Sequence, residues 1–339
     1  MLSRCHCLKL LILSALSLTL LACGQPTDKN QLVVYSARAE HLIKPLFDAY
    51  TEETGIEIAY TTDNAGSLLA RLRSEGATTP ADLLLTVDVG NLHHAKLQEV
   101  LRPLDSSVLQ QNIPPHLRDP DNVWFGLTSR ARIIVYDSER VSPDELNTYA
   151  GLADEQWRDR LCLRTSKKVY NQSLVAAFLA HYGEEKTSKI IRGWVDNLAV
   201  APFSNDTSTM QAVIAGQCDV AVVNTYYYGA LEAQGKAGNL KIFWPNQDRN
   251  GVHINVSGAG LTRHSRNPIA AQAFLEWLSG EKAQTMLAGL NLEFPVNPNV
   301  QAVEQVQAWG EFKADTLSLS EIAGYQVQAV QLIDRLGYQ

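Results

Sequence analysis

Cysteine is scarce in this 339-residue chain, and the five present form no CxxC pair and no Cys/His cluster. A structural zinc site, which needs four such ligands at close spacing, therefore has no support. Basic charge is also short, with 29 Lys and Arg against 36 Asp and Glu. That acidic balance argues against nucleic acid and anionic lipid as partners, because both would repel it. No Ser/His/Asp order, Gly-rich phosphate loop or paired-carboxylate motif occurs, so nothing points to an enzyme. Internal repeats and low-complexity stretches are missing too. The one long apolar run, Leu10 to Ala22, falls short of the roughly 20 residues that a membrane-spanning helix needs.

That run follows Arg4 and Lys9, and residues 1–22 contain no acid. This is the positive region and short apolar core of a secretory signal. It ends in Leu20-Leu21-Ala22-Cys23-Gly24, which resembles the lipobox of bacterial lipoproteins. The resemblance implies cleavage before Cys23, lipidation of Cys23 and a polar tether over residues 23–30. A lone acyl chain anchors only marginally, but such lipoproteins carry several. Loss of Arg4 and Lys9 with the signal leaves 27 basic residues against 36 acids, a mature net charge of −9. Cys5 and Cys7 leave as well, so Cys162 and Cys218 remain. In an oxidising compartment an even pair is a disulfide candidate; two buried free thiols are the alternative.

The mature chain, roughly 317 residues, is long enough for two separate cores. Short apolar strands alternate with helical patterns. Strands are expected at Leu32–Tyr35, Ile56–Tyr60, Asp82–Thr86, Ala131–Asp137, Leu161–Leu163, Cys218–Val223 and His253–Leu261. Helices are expected over His41–Thr54 with Gly55 as C-cap, Ser67–Glu75 before Gly76, Gln172–Tyr182, Thr207–Ala215 before Gly216, and Pro268–Ser279. Near-continuous apolar strands between helices predict two α/β lobes, each a mostly parallel sheet covered by helices. The expected division is 31–128 with 253–339 as the first lobe and 129–252 as the second. A cleft at the strand ends between lobes is the expected binding place.

Four segments carry a specific resemblance. Tyr35-Ser36-Ala37-Arg38, Thr79 to Thr86, Val169-Tyr170-Asn171-Gln172-Ser173-Leu174 and Asn224-Thr225-Tyr226-Tyr227-Tyr228-Gly229 stand in order. Together, from Leu32 to about Pro298, they resemble the periplasmic ferric-binding proteins of ABC importers, which have the type II periplasmic binding protein fold. In that family an Asn-x-Tyr-Tyr turn supplies two phenolate ligands, and many members add a third tyrosine 56 residues earlier, the spacing of Tyr170 and Tyr226. The resemblance therefore implies Tyr170, Tyr226 and Tyr227 as ligands. Some members place a histidine or tyrosine after the first strand, where this chain has Ala39-Glu40, or a glutamate after the third, where it has Val87-Asp88. The three-tyrosine subclass, completed by a synergistic anion such as carbonate, is thus implied. Arg38 and Arg132 are the candidates to hold the anion, since a guanidinium fork fits a carboxylate edge.

The chemistry agrees with the residue types. Fe(III) is hard and prefers anionic oxygen, and a bound cation can strip the proton from a phenol whose free pKa is about 10. Cys162 and Cys218 each lie eight residues before a ligand tyrosine, so strands leading to one metal could bring them together. The resemblance implies a lipid-anchored periplasmic protein that passes iron to an ABC permease and its ATPase, and the acidic, two-lobed reading suggests a monomer. Rival readings are an organic cation, thiamine or phosphonate bound on the same fold, and a periplasmic enzyme with a chance tyrosine cluster. His93-His94 read as a solvated helix face, and His41 and His253 as surface or hinge residues. Tyr60, Tyr136 and Tyr228 read as packing, Trp124, Trp194 and Trp277 as core anchors, and Asp82 and Asp219 as hydrogen-bonding groups.

Overall fold

The structure is a computed structural model that describes residues 31–339. The signal, the tether and Cys23 lie outside the described residues. Nine strands form one connected sheet in the order β2-β1-β3-β8-β4-β6-β5, with β7 and β9 also on β4. They are β1 (Gln31–Ser36), β2 (Glu57–Thr62), β3 (Leu83–Val87), β4 (Phe125–Asp137), β5 (Leu161–Cys162), β6 (Val220–Asn224), β7 (Leu240–Phe243), β8 (Ile254–Leu261) and β9 (Phe294–Pro295).

The sheet is mixed rather than mostly parallel. β1 pairs in parallel with β2 and β3, and β5 with β6, but β3, β4 and β8 are joined antiparallel. The cause is β4, which is 13 residues long and buried throughout. Its first half, Phe125–Ala131, lies against β8; its second, Arg132–Tyr136, lies against β6. One strand thus runs through both halves of the molecule, and the partner changes between Ala131 and Arg132.

The helices follow their apolar spacing. In α1 (Glu40–Thr54) Ile43, Leu46, Phe47 and Tyr50 face inward, and Gly55, at φ 72°, donates its N–H to the Thr51 carbonyl and ends the helix. α2 (Ala65–Glu75) is capped by the Asn64 side chain, which accepts from the Ser67 N–H. α3 (Val89–Leu97) follows β3, and α4 (Ser107–Asn112) precedes β4. α5 (Val169–Asp196) is kinked at Gly183, where φ is 72°. α6 (Asp206–Ile214) and α7 (Thr225–Ala233) flank β6. Phe274 of α8 (Pro268–Ser279) is fully buried against Phe47 and Tyr50. Truncating such a side chain to Ala destabilises by about 3–5 kcal/mol. α9 (Glu281–Leu290), α10 (Glu304–Gln307), α11 (Leu319–Gly324) and α12 (Gln326–Arg335) complete the chain.

α12 packs mainly on α5, and α11 lies between α5 and α3. α12 buries Ala329, Leu332 and Ile333, and Tyr338 is held by Asn171 and the Arg164 carbonyl at 2.6 Å each. α12 and Tyr338 therefore contact residues 129–252, while α11 also contacts α3 of residues 31–128. Asp82 accepts from the Val33 N–H, the Ser265 hydroxyl and the Arg266 and Asn267 amides, the hydrogen-bonding role read from its place before a buried strand.

Candidate functional site

One buried strand and two helix starts place the tyrosines. β6 ends at Asn224, and the chain turns at once into α7, so Tyr226 and Tyr227 occupy its first turn. Adjacent helical residues point about 100° apart, and here the two rings lie with centroids 4.3 Å apart, tilted by 38°. One residue further round, Tyr228 is buried against Trp309 and reaches Glu232 at 3.3 Å, a packing role. Tyr170 sits in the first turn of α5, which starts at Val169 and not near Gln172 as the apolar pattern implied. Helix N-termini favour nearby negative charge, so both helices help a phenolate form.

All three tyrosines line one cavity of about 300 Å³, facing Arg38, Arg130, Ser257 and Glu293. Roomier grooves exist, such as one of about 430 Å³ between Ser166 and Gln339, but it contains only one phenol, Tyr338. His41 is on the cavity rim. His93 and His94 line a different groove, against Lys167 and Val327. His253, read as surface or hinge, is buried, and burial depresses its pKa to about 3.

Guanidiniums surround the phenols. Arg164 lies 4.8 Å from the Tyr170 ring centre and 5.9 Å from that of Tyr227; Arg130 lies 5.5 Å from Tyr170. Each arginine is paired: Arg130 with Asp88 at 3.1 Å, Arg164 with Asp206 at 3.5 Å, and Arg38 with Glu293 at 2.9 Å. The pairing is incomplete. Arg38 Nε, Arg130 Nη1 and Ser257 Oγ are buried, line the cavity and have no hydrogen-bond partner. A buried unmade donor is costly, so these atoms are suited to donate to an anionic guest.

Arg132 is placed differently from its expected role as an anion holder. It does not line the cavity. Its guanidinium lies behind the tyrosines and donates to Asp206 at 2.8 Å, Asn224 at 3.2 Å, Asn171 at 2.5 Å and the Val222 carbonyl at 2.9 Å. Asn171 neighbours Tyr170, and the Asn224 amide lies 3.3 Å from the Tyr226 hydroxyl. One buried cation thus ties together the two segments that bear the tyrosines. Cys162 and Cys218 form a disulfide, with Cα atoms 5.8 Å apart, that joins the same segments further back.

Burial is the largest cause acting on the phenols and pushes Tyr170 and Tyr226 above the ordinary tyrosine range. Tyr227 pushes both further up and Tyr170 does the same to Tyr226, while Arg130 pulls both back and a hydrogen bond with Tyr226 pulls Tyr170 back as well. Without a cation these groups stay protonated at neutral pH. The donor set is oxygen-rich: among the described residues no cluster of three or more His, Cys, Asp or Glu could hold a metal. Sequence reading missed Arg130, Arg164, Ser257 and Glu293. Arg130 shares the face of Arg132 at strand spacing, a signal that was available; Glu293 had none.

A mixed sheet with helices on its faces, crossed by a shared strand and carrying a polar cavity beside it, defines a type II periplasmic binding protein. Residues 45–314 match the bacterial extracellular solute-binding protein family, and the chain belongs to it. It is 39% identical over 333 residues to Iron uptake protein A1 of Synechocystis sp., covering 94% of this chain and 92% of that one. It is 28% identical to the Fe(3+)-binding periplasmic protein of Serratia marcescens, with 82% and 81% covered. Among solved structures it is similar to Trichodesmium IdiA (FutA) in complex with iron and citrate, at TM-score 0.88 and 36% identity over 91% of this chain and 100% of that one. The Mannheimia haemolytica ferric iron-binding protein A in an open conformation follows at TM-score 0.86 and 36% identity, over 91% and 99%. These relatives are binding proteins of transport, not enzymes.

Proposed function

We propose that this protein captures ferric iron on the phenolates of Tyr170, Tyr226 and Tyr227 and delivers it to an ABC permease. The observation that carries the reading is the convergence of three tyrosines on one guanidinium-lined cavity. Three phenolates neutralise a trivalent ion. Anionic oxygen is the donor such a hard ion prefers. The donors facing them from the opposite wall, Arg38, Arg130 and Ser257, suit a carboxylate-type synergistic anion such as carbonate; Arg132 is engaged elsewhere.

Two lobes joined at β4 and β8 follow from this reading, 31–128 with 253 to about 313 in one and 129–252 with the C-terminal segment in the other. The tyrosine-bearing lobe takes the metal, and closure brings Arg38 onto the anion. Residues 1–30 add a secretory signal and, through Cys23, a lipid anchor at the periplasmic face of a membrane, where a monomer meets its permease and ATPase. Purified protein mixed with ferric citrate and bicarbonate, then desalted, should keep one iron per chain and turn red-purple. A colourless, iron-free product would return the site to an organic solute.

A further inference from the structure

The cavity wall opposite the tyrosines contains a carboxylate of the chain itself. Glu293 lies just before β9, is 2% exposed, and has both of its observed hydrogen bonds on one oxygen. Oε2 accepts from Arg38 Nη2 at 2.9 Å and from the Thr128 hydroxyl at 2.9 Å. Oε1 takes neither bond and is not among the buried atoms left without a partner, so it is open to the cavity that Glu293 lines. An arginine fork with a hydroxyl beside it is the setting in which a small oxyanion would be held. A buried ion pair is weak as a stabilising device, and this one stands at the binding cavity.

We propose that Glu293 is the anionic oxygen ligand of the wall opposite the tyrosines, and that it occupies the place at Arg38 where a borrowed anion would otherwise bind. The inference rests on the iron reading above and revises one part of it: the carboxylate at Arg38 is the chain's own, so cargo binding does not require an external synergistic anion. The outer partners Arg38 and Thr128 orient the carboxylate, as outer-shell partners do for metal ligands generally. Charge is consistent with this. Near the cavity Arg38 pairs with Glu293 and Arg130 with Asp88, while Arg132 and Arg164 share Asp206. Three phenolates cancel Fe(III), which leaves one positive charge and no need for a divalent guest.

The test loads wild type and Glu293→Gln with ferrous chloride oxidised by CO2-free oxygen in carbonate-free buffer, then adds bicarbonate. Native mass reads what is bound, and competition with a chelator reads affinity. Wild type should bind one iron with no anion mass. Glu293→Gln should lose more than about a hundredfold in affinity, beyond the range of outer-shell effects, and bicarbonate should restore most of it while adding its own mass. Glu293→Asp should retain anion-free binding in part. The Arg38→Met/Glu293→Gln pair, which leaves no buried charge unpaired, should bind weakly in both buffers. Two results would overturn the inference: an anion in every loaded wild-type molecule, or Glu293→Gln as tight as wild type without bicarbonate. If wild type shows no phenolate-to-iron absorption in either buffer, the iron reading itself fails, a distinguishable outcome.

Discussion

The two walls of the cavity are built in opposite ways. On the tyrosine wall each phenol emerges from the first turn of a helix, and the segments that bear them are tied behind the site by Arg132 and by the Cys162–Cys218 disulfide. The other wall is assembled from side chains far apart in sequence, Arg38 and Glu293 being 255 residues from one another. A wall made of strand ends and helix starts is fixed by local structure. One made of ion pairs exists only once the tertiary fold has formed.

Experiments can break this contrast, from the largest expected effect on affinity to the smallest. Tyr226→Phe or Tyr227→Phe should lower iron affinity roughly a thousandfold, beyond the 10- to 100-fold typical of outer-shell partners, with an unchanged circular dichroism spectrum. Equal binding by either variant would remove the tyrosine wall from the account. Acid should act in the same direction. Burial keeps the free phenols protonated, so iron must displace those protons, and affinity falls as pH falls by about tenfold per displaced proton and pH unit. A chelator competition between pH 8 and 6 that gave a flat line would contradict phenolate ligation.

Arg132→Lys keeps the charge but cannot serve Asn171, Asn224 and Asp206 at once. It should weaken iron binding by about 10- to 100-fold and shift the visible band; a lower melting temperature with an unmoved band would assign Arg132 to folding alone. Replacing both Cys162 and Cys218 by Ser should have the least effect on affinity, under about tenfold, while costing about 2–4 kcal/mol in denaturant unfolding. A loss of iron binding as large as that of a tyrosine variant would mean that the disulfide positions the ligands.

The tyrosine wall was the readable one. Buried runs such as Val220–Asn224 and the helix from Pro268 to Ser279 show their period directly, and the spacing of Tyr170 and Tyr226 repeats that of Cys162 and Cys218. β4 was harder. Its expected start at Ala131 lies six residues beyond the observed Phe125, because Thr128, Ser129 and Arg130 interrupt the apolar pattern though all are buried. Arg130 and Arg132 have the same local sequence signal, yet one meets Asp88 beside the cavity and the other Asp206 behind it. That choice is made where β4 exchanges β8 for β6, a tertiary event that no local pattern records. Helix α12 was likewise assigned by chain order, whereas its apolar face fits α5.

The measurement closest to the central claim is a visible-absorption titration with iron of wild type and four single variants, Tyr170→Phe, Tyr226→Phe, Tyr227→Phe and Tyr228→Phe. Saturation at one iron per chain is predicted for wild type and Tyr228→Phe. The band should be weakened in each of the other three. Equal bands in all five proteins, or iron held with no band at all, would contradict the account.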